Sequence, residues 1–349
     1  MNSPAPPSAV VYAPTDDGLR LPVIDITLPD FALPDDPQAV AALDAAFRES
    51  EWRNALVPRF VMRFMLRSAA QRSRLLADIL DPETPFLAGL TTYIMKLGAE
   101  NLPPPFDSDV DRRLAGSPQA TAVRLRLQQT AKLLAAALAP LLRAAPAAPL
   151  VLINIGGGPA LDSINALILL NRAGSGLRHR PIAIQVLDID PAGPHFGAAA
   201  LAVLSADGQP LAGIGISFAY EHYDWNAPAL LEDLVRRAAA QDAIIAASSE
   251  GALFEYGSDD AIVANLRALH DNGAKAVVGS VTSADPLRRQ SIAGSRFKLM
   301  PRGLDGFRPL AERGGFRIVR SEATPLGDQI LLCPSSADIC VDGGHLCAG

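Results

Sequence analysis

At 349 residues and 49% apolar composition, the chain is long enough to bury a full core, as one large domain or two modest ones. A formal net charge of −6 argues against a surface that tracks phosphates, because nucleic-acid binding needs a concentrated basic patch, so a small-molecule partner is the expectation. The longest apolar stretch, Leu133 to Leu142, is too short for a bilayer and contains Pro140, which excludes a membrane span there.

The opening MNSPAPPSAVV has neither a basic n-region nor an apolar h-region, so a cytoplasmic location is expected. Residues 1–30 read as an arm: apolar-rich runs at Val10 to Tyr12 and Leu21 to Ile26 flank the turn formers Asp16-Asp17-Gly18, which predicts a hairpin. Residues 31–147 read as helical. Three starts share a capping side chain followed by proline at the first helical position: Asp36-Pro37, Thr84-Pro85 and Ser117-Pro118. They predict a helix near Val40 to Arg53, a segment from Pro58 through Ile79 carrying Phe60, Val61, Phe64, Met65, Leu75 and Leu76, and a helix from Phe86 to Leu97. The longest helix runs from Pro118 to about Leu142, interrupted at Pro140, and the stiff Ala145-Pro146-Ala147-Ala148-Pro149 turn marks a boundary.

From 148 to 334 the periodicity changes. Apolar runs at Leu150 to Ile155, Ile182 to Leu187, Ile214 to Ala219, Ala243 to Ala247, Ala276 to Val281, Phe316 to Val319 and Gln329 to Cys333 alternate with helical segments. This pattern predicts a buried, mostly parallel sheet in an α/β layer. Residues 335–349 read as a tail. Cys333, Cys340 and Cys347 are widely spaced in a Gly-rich tail that also holds His345, and no paired motif such as C-x2-C appears, so free thiols and no metal are expected.

The first of these strands ends at Asn154-Ile155 and runs into Gly156-Gly157-Gly158-Pro159-Ala160, ahead of a helix carrying Asp162. Glycines let a chain turn sharply from strand to helix and let a ligand lie against bare peptide groups. The second strand ends at Asp188, placing a carboxylate where ribose hydroxyls could donate to it, and the third leads to Asp224 and Trp225, a carboxylate and an aromatic face suited to an adenine.

On these residues the chain resembles the class I, Rossmann-like S-adenosylmethionine-dependent methyltransferases over about residues 148 to 334. Gly156, Gly158 and Ala160 match the family's G-x-G-x-G turn, Asp188 its ribose acid and Asp224 its adenine-side acid. The closing pair, Gly314 to Val319 then Thr324 to Cys333, looks like the family's final hairpin with an antiparallel seventh strand. Asn154 departs from the acid often found before the first glycine, and Ala160 from the third glycine. The resemblance implies a seven-stranded, mostly parallel sheet behind an all-helical lid, S-adenosyl-L-methionine as cofactor, and methyl transfer to an oxygen or nitrogen of a metabolite. It implies cofactor contacts from Asn154, Gly156, Gly157, Gly158, Asp162, Asp188, Asp224, Trp225 and Ser248. A catalytically silent cofactor-binding protein and an NAD-dependent oxidoreductase are the alternatives. The second is opposed by Leu161, where its turn wants a last small residue, and by the closing hairpin.

Because ligands in such sheets lie beyond the carboxyl ends of the strands, the loop after the fourth strand is the expected place for chemistry. Glu250, Glu255 and Tyr256 are the catalytic candidates, the carboxylates as proton acceptors or substrate anchors. Phe254, His222 and Tyr93, the last within the polar cluster Thr91, Thr92, Tyr93 and Lys96, are candidate substrate contacts. Arg63 joins them because Arg59, Arg63 and Arg67 share one helical face and could hold an anion. No nucleic-acid or membrane partner is expected; a homodimer stays open.

Overall fold

The computed structural model describes residues 9–81, 88–294 and 297–335. In the arm, β1 (Tyr12–Pro14) and β2 (Arg20–Pro22) pair antiparallel with Tyr12 opposite Pro22, the expected hairpin, turning at Gly18 with φ +84°. Beyond it Val23, Ile24, Ile26, Leu28 and Phe31 are buried. Asn165 stitches this segment to the α/β layer, accepting from Ile26 N at 2.9 Å and donating to Ile24 O at 3.0 Å. An extended segment with no sheet partner thereby satisfies backbone groups that burial would otherwise leave costly.

Asp36 caps α1 (Pro37–Ala55) by accepting from Gln38 N and Ala39 N, both at 3.0 Å. The segment expected from Pro58 through Ile79 divides into α2 (Arg59–Ala70) and α3 (Arg74–Leu80), because the Ser73 side chain caps Leu76 N and starts a new helix. Leu75 and Leu76 are buried, whereas Phe60, Phe64 and Met65 are exposed. In α4 (Gly89–Lys96), the start expected at Thr84-Pro85 lies outside the described residues. Next comes α5 (Asp109–Ala115), a helix the sequence reading missed, since seven residues hardly establish a period; its signal is the capping box of Ser108 and Asp111. Ser117 caps α6 (Pro118–Ala144), which passes Pro140 without a break, because a proline one turn from the end removes a single backbone bond.

The α/β layer follows as β3 (Leu150–Ile155), α7 (Leu161–Arg172), β4 (Ile182–Asp188), α8 (Ala192–Leu204), β5 (Ile216–His222), α9 (Ala229–Ala239), β6 (Ile244–Ser249), α10 (Leu253–Tyr256), α11 (Asp259–Asp271), β7 (Ala276–Thr282), α12 (Pro286–Gly294), α13 (Gly303–Arg313), β8 (Phe316–Thr324) and β9 (Gly327–Pro334). The seven strands run β5-β4-β3-β6-β7-β9-β8, parallel except for β9, which is antiparallel to both its neighbours. This is the seven-stranded, mostly parallel Rossmann-like sheet with one antiparallel strand that the sequence predicts. Chain order reverses between β3 and β6, opening the crevice in which such sheets bind ligands.

One core packs α6 and α7 against the sheet through residues such as Leu134, Leu138, Ile164 and Ile168; the other packs α9, α11 and α13 on the opposite face through Leu231, Val235, Leu266 and Phe307. β5 begins two residues after the expected Ile214. That isoleucine is buried from the preceding loop, and β5 itself is a half-exposed edge strand. Among the described residues no helix is long and apolar enough to cross a membrane.

Candidate active site

A cavity of about 480 Å³ opens at the carboxyl ends of the central strands, floored by the glycine turn after β3 and roofed by α4, α6 and α12. Gly156 and Gly158 take φ +67° and +57°, left-handed values that β-carbons oppose. Ala160 reaches φ +54° at the start of α7, so the alanine in the third small position bears a strain that glycine would not. Close approach matters as much as dihedral angle. A β-carbon on Gly89 would come 3.0 Å from Gly158 Cα, and one on Gly193 would come 2.8 Å from it, so α4 and α8 rest on the bare turn.

Behind the turn lies a polar brace. Buried Asn154 accepts from Gly157 N at 3.0 Å and donates to Asp162 at 2.8 Å and to Ser248 Oγ at 3.1 Å. Asp162 also accepts from Ser163 N at 2.8 Å, while its Oδ2 has no partner; burial pushes its pKa up to about 6. These three residues, expected to touch a cofactor, do not line the cavity but stiffen the loop that does. The negative charge foreseen at Asp162 is weakened by burial.

Asp188 does border the cavity, accepting from Gly158 N at 2.9 Å and from Asp190 N at 3.0 Å. Burial raises its pKa, opposed by those backbone donors. Carboxylate oxygens have further lone pairs, so two hydroxyls can still donate to it. Asp224 is exposed at the rim and accepts from Asn226 N at 2.9 Å, next to Trp225, whose ring lies over Gly156. Ile189 and Asp190, absent from the candidate set, share this wall; Ile189 is an exposed apolar side chain that sequence alone could not distinguish from surface.

At the far end stands a buried charge cluster joining three elements. Glu250, in the loop after β6, accepts from Lys96 of α4 and, at 2.5 Å, from Arg126 Nε of α6. Arg126 NH1 also reaches Glu255 of α10 at 3.3 Å. All four side chains are less than a tenth exposed. Burial opposes ionisation of Glu250, but the two cations outweigh it and hold its carboxyl below the usual range. Such a group is a poor proton acceptor, which argues against that role and for anchoring. The guanidinium of Arg126 fills the space over Gly251, whose φ is +75° and whose N–H donates to Ser280 Oγ at 2.7 Å. Tyr256 borders the cavity, and burial pushes its phenol pKa upward.

The structure separates the remaining candidates. Tyr93 contributes to the cavity wall, but its hydroxyl donates to Pro22 O and accepts from Ile24 N at 3.2 Å, so it secures the arm. Phe254 is buried in the second core, its ring 4.8 Å from that of Phe307, rather than facing a ligand. His222 is exposed at the end of edge strand β5, and Arg63 is exposed on α2; neither lines the cavity. The cationic side chains that do line it, Lys96, Arg126 and Arg288, were not chosen from sequence. Arg126 had a signal, a charge inside the apolar face of a long helix, whereas Arg288 in the polar run Pro286 to Gln290 had none.

No family model and no curated protein matches the chain. Among solved structures, it is similar to a possible exported protein from Bordetella parapertussis at 16% identity and a TM-score of 0.52, covering 86% of this chain and 99% of that one. It also aligns with human N-acetylserotonin methyltransferase in complex with SAM (15%, TM-score 0.37, 61% of this chain and 55% of that one). Alignment with the pyocyanin biosynthetic protein PhzM gives 15% identity and a TM-score of 0.36, covering 57% and 54%. The chain spans about half the length of these last two.

Proposed function

We propose that the protein is an enzyme that transfers the methyl group of S-adenosyl-L-methionine to an oxygen or nitrogen atom of a small molecule. The observation that carries this reading is the order of groups around one cavity: bare glycine turn, Asp188 and the Asp224-Trp225 pair follow successive parallel strands of a sheet whose last strand is antiparallel. That order suits an elongated ligand with a ribose between an adenine and a charged tail. The fit of such a ligand is steric and chemical. The turn lacks the β-carbons that would keep a ligand off its peptide groups, Asp188 has lone pairs to spare, and about 480 Å³ lies within the usual range for ligand sites.

In this reading Asp188 accepts from the ribose hydroxyls, Trp225 and Ile189 flank the adenine, and the peptide groups of Gly156 to Gly158 face the middle of the cofactor. The cofactor supplies an electrophilic methyl group, and displacement at it needs alignment and exclusion of water more than a dedicated base. Glu250, clamped by Lys96 and Arg126, keeps the far wall in place, and Tyr256 borders the space for an acceptor.

Titration calorimetry should detect S-adenosylmethionine and its demethylated product but not NAD. Asp188→Ala should weaken the first two by about 1.5 to 3 kcal/mol, the scale of hydrogen bonds to a charged acceptor, with cooperative melting retained. Binding of NAD in preference to S-adenosylmethionine would replace this reading with the oxidoreductase one.

A further inference from the structure

Arg288, on α12, borders the same cavity, yet its side chain makes no hydrogen bond or close ion pair among the described residues, and its Nε is buried without an acceptor. The carboxylates near it are engaged: Glu255 accepts from Arg126, and Glu51 accepts from Gln119 Nε2 at 2.9 Å. Lys96 and Arg126 thus meet Glu250 and Glu255 at ion-pair distance, whereas Glu255 and Glu51 attract Arg288 only from farther away. Arg288 is half-buried, and a buried Nε left without an acceptor costs free energy, a cost tolerated where a ligand supplies the missing group. The apolar side chains Val123, Ile292 and Leu326 line the same cavity.

We propose that Arg288 binds a carboxylate of the methyl acceptor, so that the substrate is a small organic acid with an apolar body. A planar guanidinium matches a carboxylate through two parallel N–H donors, and those apolar side chains take the remainder of the molecule. The inference rests on the methyltransferase reading for the identity of the other ligand, and topology keeps the two apart. The residues assigned to nucleoside binding follow β3, β4 and β5, on one side of the switch point. Arg288 follows β7 on the other.

The test titrates the protein, saturated with S-adenosylhomocysteine, with benzoate, salicylate and indole-3-acetate and with the neutral amide of each. At least one carboxylate should bind about tenfold or more tightly than its amide, the scale of a charge-assisted contact. Arg288→Gln should erase that preference, leave S-adenosylhomocysteine affinity unchanged and leave the melting temperature close to its original value, because no hydrogen bond or close ion pair within the protein is lost. Three results would overturn the proposal: no carboxylate preferred in the unaltered protein, a preference that survives Arg288→Gln, or a loss of S-adenosylhomocysteine affinity, which would assign the arginine to the cofactor's own carboxylate. If the unaltered protein does not bind S-adenosylhomocysteine at all, the methyltransferase reading fails; the same panel on the ligand-free protein then still decides whether Arg288 takes a carboxylate.

Discussion

A carboxylate holding two buried cations responds to substitution differently from a carboxylate waiting for a proton. Glu250→Gln leaves Lys96 with a neutral partner and Arg126 with only the longer contact to Glu255. Uncompensated buried charge costs about 3 kcal/mol or more, so the substitution should appear first as a large loss of stability in denaturant titration. S-adenosylhomocysteine affinity measured on the same preparation should fall with it, as the loop after β6 loosens. Normal stability with turnover reduced by about a hundredfold would instead return Glu250 to the proton-acceptor role. At this scale the sequence revealed position better than role. Asp188 and Asp224 could be found because each stands where a strand ends. The partners of Glu250 could not, since Lys96 and Arg126 come from helices more than a hundred residues earlier and only packing brings them together. Phe254 failed as a candidate for the converse reason: a residue beside an active loop can turn its ring into the core, and nothing in the local sequence says which way.

Between elements, one close contact at the site is made by absent side chains. Gly89 at the start of α4, Gly158 in the turn and Gly193 in α8 meet backbone to backbone, which sets how near the helical segment lies to the loop. Gly193→Ala has no flexible neighbour to displace, because its β-carbon would meet Gly158 Cα at 2.8 Å and Gly158 C at 3.0 Å. Helix propensity favours alanine over glycine by about 1 kcal/mol, so a net loss of stability would expose the steric term. The expected outcome is a lower melting temperature together with weaker S-adenosylhomocysteine binding. A stabilised variant with normal affinity would mean that the turn gives way freely. The sequence marked this region as a glycine turn but not as a three-way contact, because Gly89 and Gly193 stand in ordinary helical surroundings. Helix starts at Asp36 and Ser117 were legible through their caps, and the short α5 and the division between α2 and α3 were not, since both depend on one serine or on a period too brief to register.

For the whole molecule, the question is whether the helices before residue 148 are an added lid or part of the fold. The proline-rich turn at 145–149 suggested a boundary, with residues 31–147 as a separate helical unit covering the site. α6, however, belongs to the same core as the sheet: Leu127, Ala131, Leu134, Leu138 and Leu142 are buried in one cluster with Leu150, Leu152, Ile164 and Val278. The arm is joined to it too, through Asn165 and through the hydroxyl of Tyr93. Burying a leucine side chain contributes about 1.5 to 3 kcal/mol, and removing α6 strips several at once from a domain whose net stability is about 5 to 15 kcal/mol. A chain beginning at Ala147 should therefore fail to form a soluble, cooperatively melting monomer, even though it retains every residue of the glycine turn and Asp188. Size-exclusion chromatography with thermal melting decides the matter. A well-folded chain from Ala147 that binds S-adenosylhomocysteine would show that the sheet stands alone and that α6 merely rests on it. An aggregated one would place the working boundary no later than Ser117, where α6 starts, and Leu75 of α3, Ile94 of α4 and Ala115 of α5, which share that cluster, would move it earlier still.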